Sequence, residues 1–377
     1  MNLLILTSSY PLKNENTGQA AAGVFVRDYA SELVKQGHNV TVIAPSNKSS
    51  CDIDNNVLVQ RFSVPFLPLS NFRLNSPKRL LEVYKTIKAG KKVTFDICKS
   101  KKIDHILALW VLPCGYWARQ ASIKYNIPYS TWALGSDIWS LSKIPLVKQY
   151  LGFILKRAVY NFADGFKLAE DVTKLSHSPV HFLPSSRKLL PPKLKQLKAK
   201  APYNLTFLGR WHENKGIDLL LDALLLLTKQ DWEKIKSFRI EGGGKLETLV
   251  KDKVNVLQSL GCPVVLGGYV DQTEVVNLLQ QTDFVVIPSR IESIPVIFSD
   301  AMQAQCPVLV TPVGDMHKLI EKYQVGECTE EVSSEHICKS LRELLNKSPN
   351  SYQENLMFTA ADFSVSHSCD RLISYLR

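Results

Sequence analysis

Residues 285–315 constrain the fold of this chain most strongly, because they alternate apolar runs with a polar loop and a helix. The run 285–287 is apolar at every position, which is typical of a parallel strand buried on both faces. The loop after it leads into a helix that is predicted to reach about Gln305, and Pro295 suits the first turn of that helix. The largely apolar run 307–311 is the next predicted strand. This order of elements predicts an α/β domain built on a parallel sheet.

Two acidic residues lie around the start of this predicted helix. Glu292 is in the loop at the carboxyl end of the strand, and Asp300 follows eight residues later, about two helical turns away. Parallel sheets bind ligands at the carboxyl ends of their strands, and a helix N-terminus attracts phosphate through its free N–H groups and its dipole. Two acids at this spacing alone would be ordinary surface charges, but in this context they predict a ligand site.

The stretch 204–216 places basic residues in a corresponding position. An apolar run ends at Gly209, and Arg210 and Lys215 follow in the turn before the next predicted helix. Arginine offers a planar fork of N–H donors and lysine a point charge, so two fixed cations on such a turn suit a diphosphate. Either residue alone would be surface charge, whereas the pair at a strand end predicts a phosphate site.

The first half of the chain also alternates strands with helices. Its opening strand, helix and strand predict a right-handed βαβ unit. A stretch rich in proline and lysine at 186–202 interrupts the alternation and predicts a linker. The elements predicted before that linker include strand 3–6, helix 23–35, strand 39–43, helix 145–163 and strands 165–169 and 180–183.

These motifs resemble those of retaining glycosyltransferases with the GT-B fold, in particular glycosyltransferase family four. Residues 209–216 are similar to the family's GR-x4-KG motif, and residues 292–300 to its Glu-x7-Glu region, with Asp300 in place of the second glutamate. The resemblance implies an α/β protein of the GT-B class, in which two Rossmann-like domains face each other across a cleft and a C-terminal helix crosses back to the first domain. The implied boundaries are 1–185 for the acceptor domain, 186–202 for the linker, 203–355 for the donor domain and 356–377 for the crossover helix.

The resemblance also assigns roles to single residues of the donor domain. Arg210 and Lys215 are implied to clamp the donor diphosphate, and Glu292 to contact the hydroxyls of the donor sugar, so these three are the candidate catalytic residues. Asp300 is implied to contact the ribose of the nucleotide. The other residues implied to line the donor site are Gly209, Gly243, Tyr269, Val270, Ser293, Ile294, Pro295 and Val296.

Three residues of the first domain have candidate roles in the acceptor and phosphate loops. The resemblance implies that the loop after the first strand reaches the donor phosphates and the acceptor, and Gly18 and Gly23 are its candidate glycines for close backbone approach. The turn 135–139 is similar to the family's HGSD turn, but Leu134 occupies the position of the histidine. Asp137 in this turn either caps the following helix or contacts substrate.

The net charge of +11 arises in the first half of the chain. Residues 1–185 contain 23 basic and 12 acidic residues, whereas residues 186–377 contain 23 of each. A basic first half is either a solvated surface or a surface that contacts an acidic membrane or an anionic lipid-linked acceptor. No apolar stretch approaches the ~20 residues that a membrane-spanning helix needs, so none is expected.

The cysteines and the N-terminus indicate a cytoplasmic protein. Eight cysteines are scattered without a Cys-x-x-Cys pair or an adjacent histidine, so neither a disulfide framework nor a zinc site is predicted. The apolar N-terminus has no basic lead and no cleavage site, which is typical of a first strand and not of a signal peptide. We therefore expect a cytoplasmic location, with peripheral contact to the inner face of the membrane if the basic surface binds acidic lipid.

The function implied by the resemblance is transfer of a sugar, with retention of configuration, from a nucleotide-diphosphate sugar of the UDP or GDP type. The acceptor is implied to be a glycan or a lipid-linked intermediate, as in the synthesis of surface polysaccharides or glycolipids. No metal or other cofactor is expected, because arginine, lysine and a helix dipole meet the phosphate charge, and no nucleic acid is expected as a partner. Two alternatives remain open: a GT-B sugar-nucleotide epimerase, and a non-catalytic protein that binds a glycan or a nucleotide.

Overall fold

The computed structural model describes residues 1–12, 21–67, 69, 76–189 and 197–377, with the backbone alone at residues 21 and 22. These residues form two compact units. The first contains the described residues up to Ser185 together with Ser368–Arg377, and the second contains those of Ser186–His367. Each unit has its own largely parallel sheet with helices packed on it, so the prediction of two Rossmann-like α/β domains is confirmed.

The first unit is built on an eight-stranded sheet. Its strands are β1 (Asn2–Leu6), β2 (Asn39–Ser46), β3 (Ser50–Asp54), β4 (Val57–Ser63), β5 (His105–Leu109), β6 (Tyr129–Ala133), β7 (Asn161–Ala163) and β8 (Val180–Phe182). Its helices are α1 (Ala21–Lys35), α2 (Pro77–Ser100), α3 (Tyr116–Tyr125), α4 (Ser136–Trp139), α5 (Pro145–Arg157) and α6 (Phe166–Ser176). The strand order is β3-β4-β2-β1-β5-β6-β7-β8, and every neighbouring pair is parallel except β3 with β4. The central strands are almost wholly buried, which explains their continuous apolar runs.

Two of the elements predicted for this unit were wrong. The predicted helix 145–163 is too long, because α5 ends at Arg157 and residues 161–163 form β7. The segment predicted as strand 165–169 instead opens α6. All three residues of β7 are buried, so this short strand has no alternation of polar and apolar residues that would distinguish it from the end of a buried helix.

The second unit is built on a six-stranded parallel sheet. Its strands are β9 (Tyr203–Arg210), β10 (Ile235–Gly243), β11 (Val264–Leu266), β12 (Phe284–Ile287), β13 (Val308–Val310) and β14 (Gly326–Cys328). Its helices are α7 (Ile217–Leu225), α8 (Lys229–Trp232), α9 (Glu247–Ser259), α10 (Gln272–Gln281), α11 (Val296–Gln303), α12 (Met316–Tyr323), α13 (Ser334–Leu344) and α14 (Gln353–Asp362). The strand order is β11-β10-β9-β12-β13-β14.

The last helix, α15 (Val365–Leu376), returns the end of the chain to the first unit. The hydroxyl of Tyr29 in α1 donates to the carbonyl oxygen of Ser368 at 2.9 Å. Arg371 donates to the carbonyl oxygen of Phe182, at the end of β8, at 3.0 Å. The C-terminal residues therefore pack on both an early helix and the last strand of the first unit.

The strand order of the second unit decides where its ligand site lies. From β9 the chain moves outward through β10 to β11, then returns to β12 on the other side of β9 and continues to β13 and β14. Open parallel sheets bind ligands at the carboxyl ends of the strands where the order reverses in this way. In this unit that point lies between β9 and β12, the strands that precede Lys215 and Glu292.

Candidate active site

The loops after β9 and β12 bring a lysine and a carboxylate into contact. Lys215 lies in the turn before α7, and Glu292 lies in the loop between β12 and α11. The Nζ atom of Lys215 forms an ion pair with Oε1 of Glu292, and the two side chains are 23% and 16% exposed. Arg210, the last residue of β9, is close enough for its charge to act on Lys215. The three candidate catalytic residues are thus assembled at the switch point of one sheet.

Opposing influences act on the amine of Lys215. Burial, and after it the positive charge of Arg210, lower the pKa of Lys215 to about 8. The carboxylate of Glu292 favours the charged form of the same amine. An anion placed between Arg210 and Lys215 would also favour the charged form, because it relieves the repulsion between the two cations. The site is therefore suited to a strongly anionic group.

Two glycines allow the loops around this ion pair to pack closely. Gly216 has a φ of +67°, and a Cβ atom there would overlap the carbonyl oxygen of Pro288 at the end of β12. Gly314 has a φ of +54°, and a Cβ atom there would overlap the carbonyl oxygen of Glu292. Both positions also have a backbone conformation that other residues rarely adopt. The loops after β9, β12 and β13 therefore contact one another through their backbones.

Arg290 joins the first two of these loops with its side chain. Its Nη1 and Nη2 atoms donate to Oδ1 and Oδ2 of Asp218, in the first turn of α7, at 2.7 and 2.6 Å. The Nη1 atom also donates to the carbonyl oxygen of Glu213 at 2.7 Å, and the backbone N–H of Arg290 donates to the carbonyl oxygen of Asn214 at 2.8 Å. These four bonds hold the segment before Glu292 against the segment before Lys215.

The remaining residues predicted for the donor site surround the same edge of the sheet. Gly209 lies near the end of β9 and Gly243 ends β10, where it pairs with Arg210. The ring of half-exposed Tyr269 packs so closely on Gly243 that a Cβ atom there would overlap it, and Val270 is the next residue of that loop. Ahead of α11, Ser293, Ile294 and Pro295 are buried and Val296 is the first helical residue.

Asp300 has a different environment from the one that the resemblance implies. It is fully buried in α11, and its carboxylate accepts hydrogen bonds from Arg187. The Nε atom of Arg187 lies 3.0 Å from Oδ1 and 2.9 Å from Oδ2, and its Nη2 atom also contacts Oδ2. Burial raises the pKa of Asp300, and the Arg187 guanidinium opposes that shift. Both carboxylate oxygens are therefore engaged by one cation of the same unit.

The residues predicted in the first domain lie within the first unit, except that Gly18 is outside the described residues. Gly23 in α1 packs against residues 9–11 of the loop after β1. Asp137 is buried in α4, and its carboxylate accepts from the backbone N–H groups of Val111 at 2.6 Å and Leu134 at 3.2 Å. Burial raises the pKa of Asp137 to about 6, although these N–H groups oppose the shift. The carboxylate thus connects the loops that follow β5 and β6.

No cluster of three or more histidine, cysteine, aspartate or glutamate side chains in the described part of the chain could hold a metal ion. An Asp-x-Asp triplet occurs at residues 52–54, in the antiparallel strand β3 of the first unit. There Asp52 accepts from the hydroxyl of Ser50 at 2.7 Å, and Asp54 accepts from the hydroxyl of Tyr10 at 3.3 Å. Both acids therefore have local protein partners.

Three residues that organise this site have no recognisable signal in the sequence: Arg290, Asp218 and Arg187. Each is a charged residue in or next to a predicted loop, where surface charge is the usual interpretation. Their partners lie far away along the chain, because 72 residues separate Asp218 from Arg290 and 113 separate Arg187 from Asp300. Neither spacing has a periodicity that would indicate a pair.

Known families and proteins resemble this chain along most of its length. Residues 202–347 match the family described as Glycosyl transferases group 1, and residues 19–164 match the family described as Glycosyl transferase 4-like. The chain is 26% identical over 356 residues to the Putative teichuronic acid biosynthesis glycosyltransferase TuaC of Bacillus subtilis (strain 168). That match covers 86% of this chain and 84% of the relative.

Solved structures share the fold. Sucrose-phosphate synthase from Thermosynechococcus elongatus aligns over 99% of this chain and 98% of its own, with a TM-score of 0.73 and 14% identity. HepE from Anabaena, in complex with UDP and glucose, aligns over 100% of this chain and 99% of its own, with a TM-score of 0.68 and 15% identity. At such identities the likeness concerns the fold.

The Arg290 side chain is predicted to order both loops of the site. Replacing it with Met removes three side-chain hydrogen bonds, which we expect to cost roughly 1–2 kcal/mol because the pair with Asp218 is partly exposed. Amide hydrogen exchange should then speed up roughly 5–30-fold in peptides that cover residues 212–218 and residues 288–293. Arg290→Lys should be intermediate, because lysine cannot form the bidentate contact.

A matched control for this experiment is Lys251→Met in α9, which removes an exposed ion pair with Glu247. It should leave exchange in both loops unchanged. Unchanged exchange in Arg290→Met, or faster exchange in only one loop, would show that the side chain does not couple them.

Proposed function

Because residues 202–347 match the family described as Glycosyl transferases group 1 and the chain has the GT-B fold, we propose that it transfers a sugar from a nucleotide-diphosphate sugar to a glycan or lipid-linked acceptor with retention of configuration. The observation that carries this proposal is the contact between Lys215 and Glu292, beside Arg210, at the switch point between β9 and β12. The arrangement joins groups suited to a diphosphate with a carboxylate suited to sugar hydroxyls.

The two cations serve the leaving group in this proposal. When the bond between the anomeric carbon and the phosphate oxygen breaks, negative charge develops on the nucleoside diphosphate. Arg210 and Lys215 stabilise that charge, together with the N-terminus of α11 that follows Pro295. Phosphate competes with Glu292 for the Lys215 amine and keeps that amine protonated, in spite of the burial that lowers its pKa.

Glu292 serves to orient the sugar. A carboxylate accepts hydrogen bonds from two hydroxyls at fixed positions, which holds the anomeric carbon within reach of the incoming acceptor. The acceptor hydroxyl oxygen attacks from the face that the diphosphate leaves, and its proton passes to the departing phosphate oxygen. Configuration is then retained without a separate protein base, and the reaction needs no metal, since protein cations meet the charge.

The relatives support a polysaccharide pathway and a uridine nucleotide. TuaC is described as a putative glycosyltransferase of teichuronic acid biosynthesis, and the HepE structure contains UDP and glucose. A donor of the UDP type and an acceptor on the way to a surface polysaccharide are consistent with both. We propose these as the first donor and acceptor classes to test.

Nucleoside diphosphate binding is the first test of this function. Calorimetric titration with UDP, GDP and ADP should find one that binds, with UDP expected. Its affinity should fall by ~10-fold or more in Arg210→Ala, because charge-assisted hydrogen bonds to phosphate contribute about 1.5–3 kcal/mol. The matched control Lys251→Ala removes an exposed cation of α9 and should bind like the native protein.

Transfer assays with the corresponding sugar nucleotide complete this test. Glu292→Gln should keep the nucleotide affinity and lose transfer by roughly 100-fold, because orientation of the sugar is lost while the diphosphate site remains. The proposal would be abandoned if no nucleotide bound. Nucleotide binding without transfer from any sugar nucleotide would support the non-catalytic alternative instead.

Independence from metal is a separate prediction. Transfer should proceed at the same rate, within about twofold, after exhaustive treatment with EDTA, because Arg210, Lys215 and the helix N-terminus supply the positive charge. A rate that fell in EDTA and returned on addition of Mg²⁺ would contradict it. Addition of Ca²⁺ after the same treatment would show whether the recovery is specific.

The first unit has surfaces that suit a peripheral membrane contact. At the start of α2, Leu80, Leu81 and Tyr84 are each at least half exposed. In α5, Leu146 and Phe153 are 79% and 61% exposed. Exposed basic residues accompany both groups: Lys78, Arg79, Lys85 and Lys88 in α2, and Lys148, Lys156 and Arg157 in α5. Apolar side chains beside basic ones suit the interface of an acidic membrane.

In the described residues, the helices are too short or too polar to cross a bilayer.

Vesicle binding tests this contact. The protein should sediment with vesicles that contain acidic lipid at low salt, and binding should weaken steeply as salt rises, because each basic residue near the surface contributes about 1 kcal/mol that ions screen. Lys148→Glu with Lys156→Glu should reduce binding, and Lys251→Glu in the second unit should not. If binding does not change with salt concentration, or if the protein does not bind vesicles, the basic first half is a solvated surface.

A further inference from the structure

An ion pair that the proposed chemistry does not use joins Arg187 to the buried carboxylate of Asp300. Asp300 has no exposed surface, whereas the side chain of Arg187 is 17% exposed. The guanidinium contacts both carboxylate oxygens. Burial of an ionised carboxylate is costly without a partner, so this geometry commits Asp300 to Arg187.

The backbone around Arg187 is held by two further side chains of the second unit. The Nε2 atom of Gln303, in the same helix as Asp300, donates to the carbonyl oxygen of Arg187 at 3.0 Å. Gln272 at the start of α10 donates from its Nε2 atom to the carbonyl oxygen of Lys188. Residues 186–189, called the anchored segment below, are therefore attached to α10 and α11 through three side chains.

We propose that Asp300 is a positioning residue whose carboxylate fixes the anchored segment to α11 through Arg187 and does not bind a ribose hydroxyl of the donor. This inference rests on the proposed function, since it concerns the nucleotide site. It replaces the role that the resemblance implies for this position. The residue that acts directly on the carboxylate is Arg187, and the donor is affected only through the placement of α11.

The chemistry of the pair explains why a ribose hydroxyl is excluded. An ionised carboxylate only accepts hydrogen bonds, and Asp300 has no exposed surface, so a ribose hydroxyl could reach it only in exchange for the Arg187 guanidinium that covers it. That exchange replaces an ionic hydrogen bond with a neutral donor and leaves the Arg187 charge with a weaker partner. The exchange is therefore unfavourable whichever ribose hydroxyl takes part.

The link to the donor site runs through α11. This helix begins at Val296, directly after the loop that carries Glu292, and Asp300 lies one turn further along. A change in the position of α11 would therefore move both its N-terminus and that loop. Loss of the ion pair should therefore weaken binding of the nucleotide by the same factor, whichever ribose hydroxyls the ligand has.

A ligand comparison separates the positioning role from direct contact with ribose. UDP, 2′-deoxy-UDP and 3′-deoxy-UDP are titrated into the native protein, Asp300→Asn and Arg187→Met by calorimetry, well below the unfolding temperature. Both variants should bind all three ligands roughly 5–30-fold more weakly. The ratio of affinities between UDP and each deoxy analogue should stay within twofold of the native value. Arg187→Lys should recover part of the affinity.

Two results would overturn the proposal. If Asp300 accepted a ribose hydroxyl, one deoxy analogue would bind the native protein at least ~10-fold more weakly than UDP, and that difference would disappear in Asp300→Asn. If the pair were merely structural, both variants would melt earlier and still bind UDP within twofold of the native affinity. The exposed acid-to-amide change Glu247→Gln is the control and should alter neither quantity.

A stability cycle tests the pair independently of any nucleotide. Arg187→Met leaves the buried carboxylate without its cation and should lower the melting temperature by roughly 6–20 °C. The double variant Arg187→Met with Asp300→Asn should melt above the single Arg187→Met variant, because the uncompensated charge is gone. Additive losses would contradict the commitment of Asp300 to Arg187. If UDP failed to bind the native protein, the proposed donor would be wrong and this cycle would still decide the ion pair.

Discussion

The contact between Lys215 and Glu292 is the interaction on which the candidate site of the second unit depends. It requires that two residues 77 positions apart in the chain, in loops that follow different strands, end within reach of each other. The sheet meets this requirement because β12 is inserted beside β9 after the chain has passed through β10 and β11. The site is therefore a consequence of strand order: any other neighbour for β9 would separate the cation from the carboxylate.

Backbone packing and one arginine then fix the distance between those loops. Gly216 and Gly314 remove the side-chain atoms that would hold the loops apart, and both adopt a left-handed conformation. Arg290 adds directional bonds to Asp218 and to the carbonyl oxygen of Glu213. Close backbone contact limits the motion of the loops, and the bidentate pair limits the rotation of one loop against the other. The charged groups are therefore held in place before any ligand arrives.

Two buried carboxylates differ from Glu292 in the groups that compensate their charge. Asp137 is balanced by backbone N–H groups of two loops in the first unit, and Asp300 is balanced by the guanidinium of Arg187 in the second. Glu292, by contrast, is partly exposed and forms an ion pair with Lys215, an amine whose pKa is lowered by burial. Under the proposed function Glu292 exchanges its partner for the donor sugar, whereas the two buried carboxylates would lose their compensation in such an exchange.

Local sequence patterns determined much of this protein: the parallel strands, most helices, and the arginine, lysine and glutamate placed at strand ends. Those features follow from apolar runs, turn residues and strand-to-helix order, which neighbouring residues decide. The hydrophobic pattern gave the wrong elements at residues 157–169. The three-residue strand β7 and the first residues of α6 are too short for their periodicity to distinguish strand from helix. Only the tertiary structure showed that Asp300 binds Arg187 and that Arg290 binds Asp218. Such pairs form when distant segments fold together, and the burial that makes a lone charge costly is a property of the folded chain.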